Sequence, residues 1–375
     1  MGQKITVCFV SDTLHSYFGS GGVSGTGGAE RQQYILATNL ADRGKKVSVA
    51  TLAYDRPKRI TKNDIDVWRI IPDVRGLLRA PYKALRTIFG LSQINADVYY
   101  VRGNDFLCMV TAAYATVSES MFVYAVANDT NVDPETLANK GIFRRPFVAA
   151  MSSADLVIAQ NQHQASLLKS EHGIDPTLIP NGYDLPSESM LVDHDQRRHV
   201  LWVGSMDPDQ KKPLRFLELA RRLPNTQFRM IGPPDNDRPK YYETVEAEAN
   251  SIDNVEFLGY VDPDEIHDHY RDAIALVNTS DYEGFPNVYL EAWRYATPVV
   301  SLYHDLDGIL TEENVGVQAG SMDALVDSVR SIATDESLCE TLGNSGRAYM
   351  ANHFSLEQLV DRYERALESV FTDST

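Results

Sequence analysis

The chain has 375 residues, 43% of them hydrophobic, with 52 Asp+Glu against 35 Lys+Arg and a formal net charge of −17. That length fits two domains, and that hydrophobic content supplies a core for each and excludes a largely disordered chain. The charge excludes a general nucleic-acid binder, and no run approaches the roughly 18 consecutive apolar residues of a membrane span.

The first strand is KITVCFVS, ending at Ser11-Asp12. A glycine-rich stretch follows at 18–28, FGSGGVSGTGG, and then the helical pattern AERQQYILATNLADRG. Glycines let a backbone approach phosphate or sugar closely, and the start of a helix favours anions. No G-x-G-x-x-G register fits, and the stretch is longer than a dinucleotide turn, which points away from NAD or FAD. After the strand KVSVATLA comes the most basic segment, DVRGLLRAPYKALRTIFGLSQ at 73–93. At 100° per residue Arg75, Arg79, Lys83 and Arg86 fall on one side, and Leu77, Leu78, Tyr82, Leu85, Ile88 and Phe89 on the other. Such a basic amphipathic helix predicts contact with an anionic membrane surface; an ordinary surface helix would instead pack its apolar side on the domain. The strands DVYYVR, MFVYAVA, ADLVIAQN and PTLIPN complete the first half.

The pattern then restarts. HVLWVGS, TQFRMIG, NVEFLGYV, AIALVNTS and ATPVVSLY read as strands. PLRFLELARRLP, DRPKYYETVEAEANS, FPNVYLEAWRYA and a long run over 321–353 read as helices. Strands alternating with helices imply two doubly wound parallel sheets covered on both faces. The polar, aperiodic stretch 185–197 reads as the joint. The expected domains are therefore 1–186 and 187–354, followed by a closing amphipathic helix, SLEQLVDRYERALESVF, within 355–375. Two such halves would face the carboxyl ends of their strands across a cleft. Residues 1–186 carry 19 Lys+Arg against 17 Asp+Glu, whereas 187–375 carry 16 against 35. The first half is the one suited to an anionic partner. The scattered cysteines, Cys8, Cys108 and Cys339, exclude a disulfide scaffold and a cysteine-rich zinc site, and fit a reducing cytosol.

Two constellations carry chemistry in the second half. Glu283-Gly284-Phe285-Pro286-Asn287-Val288-Tyr289-Leu290-Glu291 follows the strand AIALVNTS, with a helix expected from the Phe285-Pro286 step and Pro286 as its first residue. Carboxylates eight apart lie a little over two helical turns from each other, too far to serve one bond as acid and base, but suited to two parts of one extended ligand. Val203-Gly204-Ser205 followed by Lys211-Lys212-Pro213 puts a lysine pair after a strand end, which suits a diphosphate. From spacing alone, solvated surface charges remain the alternative for both.

Together and in this order, GTGGAERQ (25–32), IPNGYD (179–184), LWVGS and KKP (201–213), MIG (230–232), FLGYV (257–261) and DYEGFPNVYLEAWRYATPVVS (281–301) resemble the family-four retaining glycosyltransferases of group 1, which have the GT-B fold. The resemblance spans nearly the whole chain and implies a nucleotide-sugar donor held by the second domain and an acceptor by the first. Glu283 would meet the donor sugar, Glu291 the ribose, and Lys211, with Lys212 as the other register, the diphosphate. Gly204 and Ser205 would border the donor. Backbone N–H groups at Phe285, Asn287 and Val288 would cradle phosphate beside Gly284, Pro286 having none to give. Gly27 and Gly28 would sit where donor meets acceptor, with Asn128 at the transfer site and Arg102, Asn104 and Asp129 on the acceptor side. Many family members carry arginine in place of Ser205 and histidine in place of Asn128, so both departures remove positive or titratable character.

The implied reaction is transfer with retention of configuration to a saccharide or lipid-linked saccharide, in polysaccharide or glycoconjugate synthesis. The leaving phosphate would help deprotonate the acceptor. Lysine and N–H dipoles would stabilise its charge with no metal or other cofactor. His163, His267 and His269 form no ligand-spaced set. The expected place is the cytoplasm, peripherally at its membrane face. The rival expectation is a non-catalytic homologue that binds nucleotide sugar or scaffolds a partner.

Overall fold

Short runs of β-branched and aromatic residues become the strands of two sheets. The computed structural model describes residues 5–18, 27–53, 58–74, 76–234, 238–262 and 265–373. It divides into two units, Met1–Pro180 with Leu359–Thr375, and Asn181–Gln358.

The first unit holds β1 (Thr6–Val10), β2 (Lys46–Leu52), β3 (Arg59–Lys62), β4 (Ile65–Ile71), β5 (Val98–Arg102), β6 (Met121–Ala125), β7 (Leu156–Ala159) and β8 (Thr177–Leu178). Their order is β3-β4-β2-β1-β5-β6-β7-β8, parallel except for β3 against β4. β5 and β6 are buried along their whole length, as a sheet covered on both faces requires. The β3–β4 hairpin was not among the expected strands. Its signal is the alternation of buried Ile65, Val67, Arg69 and Ile71 with half-buried neighbours, interrupted by charge. Asn63 and Asp64 turn it, both at positive φ (51° and 57°), as a two-residue hairpin loop demands.

The second unit holds β9 (His199–Val203), β10 (Phe228–Ile231), β11 (Val255–Gly259), β12 (Ala273–Asn278), β13 (Val299–Ser301) and β14 (Gly316–Gln318), in the order β11-β10-β9-β12-β13-β14, all parallel. The winding reverses between β9 and β12, and in the first unit between β1 and β5. Open α/β sheets bind ligands outside the carboxyl ends of the strands at such points.

Helix boundaries shift from the sequence expectation for local reasons. The run 321–353 is two helices, Met322–Thr334 and Glu336–His353. Asp335 breaks it, its carboxylate accepting from the Leu338 N–H at 3.0 Å as an N-cap. The helix expected from Phe285 is the shorter Asn287–Trp293, with extended Pro286 at its N-cap instead of its first turn. Residues 185–197 lie within the second unit, with the division between units at Pro180/Asn181, and form two 3₁₀ turns. They end on Arg197, whose guanidinium donates to the carbonyls of Arg271, Ala273, Tyr295 and Ala296 and to Thr297 Oγ1, at 2.6–3.2 Å. The closing helix Leu356–Asp373 enters the first unit from Leu359 onward. There Arg43 reaches Asp361 and Glu364, and the Tyr363 hydroxyl lies 3.2 Å from that of Tyr100. No helix among the described residues is long and apolar enough to cross a membrane.

One buried base sets an acid limit on stability. His199, at the start of β9, is 3% exposed, with Nε2 3.1 Å from the His269 carbonyl. Burial, reinforced by Arg229, pushes its pKa from 6.5 down to about 4. Between those values the unfolded chain binds a proton that the folded chain refuses. Stability at this site is therefore intact above about pH 6.5 and lost as pH falls to about 4, by up to about 3 kcal/mol. We expect urea midpoints of His199→Gln to fall less steeply than wild type across that window; parallel curves would contradict the assignment.

Candidate functional site

The main cluster gathers where the second sheet reverses. β9 ends at Val203 and leads through Gly204 and exposed Ser205 to Lys211; β12 ends at Asn278 and leads to Glu283. The carboxyl ends of β9 and β10 approach so closely that a Cβ on Gly232 would lie 1.9 Å from the Gly204 carbonyl oxygen, so this position admits only glycine.

Lys211 is held by strained backbone. Lys212, its neighbour, takes a left-handed conformation (φ 51°, ψ 53°) directly before Pro213 and the helix Pro213–Arg222. A non-glycine residue there costs about 1–3 kcal/mol and persists only where its surroundings impose it. They do: the Lys212 N–H donates to the Asp207 carbonyl at 3.0 Å, and the Thr279 hydroxyl donates to the Lys211 carbonyl at 2.7 Å. Trp202 Nε1 in turn donates to Thr279 Oγ1 at 2.9 Å. The Lys212 ammonium lies 3.4 Å from Asp281, which also takes Arg215 at 2.5 Å.

The strain directs Lys211 onto Glu283. Lys211 Nζ lies 2.6 and 2.8 Å from the two oxygens of this carboxylate, which is 6% exposed. The Ser280 hydroxyl donates to Oε1 at 2.7 Å, with Asn278 Nδ2 and Gln210 Nε2 each at 3.4 Å. Burial alone would raise the Glu283 pKa; Lys211, Ser280 and nearby His304 outweigh it and hold the carboxyl below its ordinary value. The site thus offers a fixed anion and a cation together, at a sheet's ligand-binding edge.

Glu291 is held separately. It lies within the helix Asn287–Trp293, 7% exposed, and Oε2 accepts from the Tyr270 hydroxyl at 2.7 Å. Between the two glutamates, Gly284, Phe285 and Pro286 are buried, Asn287 and Val288 half-buried. Phe285 packs edge-on to Phe354 at 5.4 Å, and Asn287 Oδ1 accepts from Asn181 Nδ2 at 2.8 Å. That last bond ties the IPNGYD segment to the head of the glutamate helix.

The first unit places its own residues where β1 and β5 diverge. Asn104 caps the helix Asp105–Ser118 by accepting from the Leu107 N–H at 2.9 Å, and its amide donates to Asp12 at 3.3 Å. Asn128 accepts from the Thr130 N–H at 3.3 Å, and Asp129 takes Gln164 Nε2 at 2.9 Å. Gly27 caps the helix Gly28–Asp42 and both glycines are exposed; residues 19–26 of the glycine-rich stretch lie outside the described residues. Arg102, 8% exposed, sits beside Tyr100 and Tyr363.

Sequence reasoning missed Ser280, Asn278, Asn181, Tyr270 and Asn131. Asn131 Oδ1 accepts from the N–H groups of both Ala127 and Asn128 at 3.0 Å, fixing the turn that carries Asn128. Asn181 stood inside the quoted IPNGYD, and Asn278 and Ser280 at the end of the quoted strand AIALVNTS. Tyr270 carries no local signal, since only the fold brings it to Glu291.

Residues 197–335 match the family model described as glycosyl transferases group 1, and residues 26–186 the model described as glycosyltransferase family 4. The chain is 29% identical over 174 residues to the D-inositol 3-phosphate glycosyltransferase of Geodermatophilus obscurus. That match covers 40% of this chain and 38% of that enzyme, so the chain spans well under half of that relative's length. Among solved structures, sucrose-phosphate synthase from Thermosynechococcus elongatus aligns with TM-score 0.79 at 18% identity, over 98% of this chain and 100% of that one. Anabaena HepE in complex with UDP-glucose aligns with TM-score 0.76 at 17% identity, over 97% and 100%. These likenesses establish the fold as GT-B.

Proposed function

We propose, for a chain that belongs to glycosyltransferase family four, the transfer of a sugar from a nucleotide-sugar donor to a saccharide or lipid-linked saccharide, with retention of anomeric configuration. The observation that carries this reading is the Lys211–Glu283 pair at the reversal point of the second sheet. A leaving nucleoside diphosphate gains negative charge as the glycosidic bond breaks. Lys211, preorganised by the Lys212 turn, is the cation to meet it, so no metal is needed. Glu283 holds Lys211 in place through both oxygens, and its carboxylate meets a hydroxyl of the donor sugar. The acceptor oxygen bonds to the anomeric carbon on the face from which the phosphate oxygen departs, and that oxygen takes the acceptor's proton. Glu291, steadied by Tyr270, accepts from the ribose hydroxyls. Asn128 faces the transfer, and Asn104 and Asp129 the acceptor. The first unit works at the cytoplasmic face of an anionic membrane, where lipid-linked acceptors are presented.

UDP-glucose leads the donor panel because HepE binds it. We expect nucleoside diphosphate release from one nucleotide sugar with chelator present and membrane extract as acceptor. The same donor should raise the melting temperature, since a ligand at a hundredfold excess over Kd stabilises by about 2.7 kcal/mol. No release and no shift with any donor would overturn transfer and leave the non-catalytic reading, in which Ser205 and Asn128 are the decisive departures.

A further inference from the structure

The basic segment that suggested a membrane is helical, as its sequence pattern implies, with its large apolar residues outward. It forms a 3₁₀ turn, Leu77–Arg79, and the helix Ala80–Ile94. The face turned to the domain is made of Thr87, Gly90 and Leu91 with half-buried Ala84 and Ile88. Gly90 packs against Ile70 so closely that a Cβ would lie 2.5 Å from its Cδ1. The larger apolar residues point outward: Leu78 is 97% exposed, Leu85 68%, Phe89 55% and Tyr82 54%. At 82, 85 and 89 they fall within about 60° of one another around the helix, and Leu78 lies in the turn that leads into it, an exposed ridge.

The cations sort differently from expectation. Lys83 is not available to a lipid: its ammonium lies 3.6 Å from Asp12 and 5.2 Å from the Phe106 ring centre. Arg75 lies outside the described residues. Arg79 and Arg86 are exposed along one flank of the ridge. A second exposed apolar pair, Ile142 and Phe143, is followed by exposed Arg144 and Arg145, repeating the same chemistry on another segment of this unit.

Beside the ridge lies a cavity of about 480 Å³, at the carboxyl ends of β2 and β4. Lys58, Arg69 and Arg86 line it with Tyr82, Phe89 and Asp73. Asp73 is the one carboxylate in that lining among the described residues. Neither Lys58 nor Arg86 has an ion-pair partner among them. Three cations, two aromatic rings shared with the ridge and a volume in the range of small-ligand pockets make an anion site with an apolar rim.

We propose that this cavity receives the anionic headgroup of a membrane phospholipid while Leu78, Tyr82, Leu85 and Phe89 enter the bilayer interface. Charge favours an anionic bilayer: the half that carries the ridge has 19 Lys+Arg against 17 Asp+Glu and none of the chain's acidic excess, and its cations gather at the cavity. The repeated pairing of apolar tips with arginines is the composition of a surface that lies in a lipid interface. The inference rests on the membrane contact proposed above and names its surface and lipid.

The test is sedimentation of the full chain with vesicles of phosphatidylcholine alone and of equal parts phosphatidylglycerol and phosphatidylcholine. Wild type should sediment with the anionic vesicles only. Lys58→Gln with Arg86→Gln should lower that partitioning about fivefold for each cation removed. Leu78→Ser, Leu85→Ser and Phe89→Ser combined should lower it at least about tenfold. None of these residues is among those that hold Glu283 or Glu291, so donor-induced melting shifts should be unchanged. Wild-type binding by the Lys58/Arg86 variant would overturn the headgroup site while leaving membrane contact standing. No sedimentation of wild type would overturn both, and sugar release with a soluble acceptor would still report on transfer separately. Stabilisation by free glycerol phosphate without vesicle binding would make the ligand a soluble phosphate and overturn the bilayer. A lipid-free dimer that the triple variant dissolves would assign the ridge to a second copy and overturn it too.

Discussion

Replacing Lys211 by alanine is expected to lower sugar transfer by about 10²- to 10³-fold, the cost of losing one preorganised group that meets charge developing in the transition state. The same change strips a buried carboxylate of its cation. Glu283 would keep Ser280, Asn278 and Gln210, all neutral donors. Removing one member of a buried pair costs about 3–5 kcal/mol, and the low end fits here because the Lys211 side chain is 23% exposed. Two consequences separate catalysis from stability. Wild-type Glu283 is held below its ordinary pKa, so its contribution is present above the unfolded value and lost only as pH falls through the folded one. Without Lys211, burial dominates and the carboxyl protonates at higher pH, moving the acid limb of stability upward. Combining Lys211→Met with Glu283→Gln removes both charges, so the melting temperature should recover while transfer stays low. Recovery of both together would reduce the pair to a structural one.

How much of this was legible in the chain depends on how local each feature is. Strands such as VCFV and VYYV announce themselves because both faces are buried and every residue is apolar. The β3–β4 hairpin hid because Asp66 and Arg69 interrupt its alternation, and Arg69 is buried, against expectation for a charge. Glu283, Glu291 and Lys211 could be named because a helix start and a strand end are readable in sequence and the ordered segments resembled a family. Their partners could not. Tyr270 reaches Glu291, and Asn181 reaches Asn287, only after the parallel sheet has brought separate segments together. The basic helix shows the same limit. Its periodicity correctly gave an amphipathic helix, but which face turns inward was decided by Gly90 against Ile70, a contact that no pattern within 73–93 encodes.

Glu291→Ala is expected to weaken donor binding about 10- to 100-fold, the range for hydrogen bonds to a charged acceptor, with a much smaller change in kcat. The position supports a binding role over a chemical one. Glu291 lies inside the helix Asn287–Trp293, eight residues beyond Glu283, and it accepts from the hydroxyl of Tyr270, itself fully buried. A carboxylate accepts at two oxygens, a match for the two hydroxyls of a vicinal diol. Glu291→Gln keeps an oxygen for the Tyr270 hydroxyl and should preserve the fold while losing the charge, giving an effect between wild type and alanine. Tyr270→Phe leaves Glu291 charged but less firmly oriented, so KM should rise more than kcat falls. A purely structural Glu291 would lower the melting temperature and weaken every ligand alike. The discriminating ligand is therefore a donor whose ribose lacks its hydroxyls. Wild type should bind it about as weakly as Glu291→Ala binds the normal donor, and the variant should not distinguish the two donors. If the alanine variant still prefers the hydroxylated ribose by the wild-type factor, Glu291 does not contact it, and the donor must lie in another register along the segment from Glu283 to Glu291.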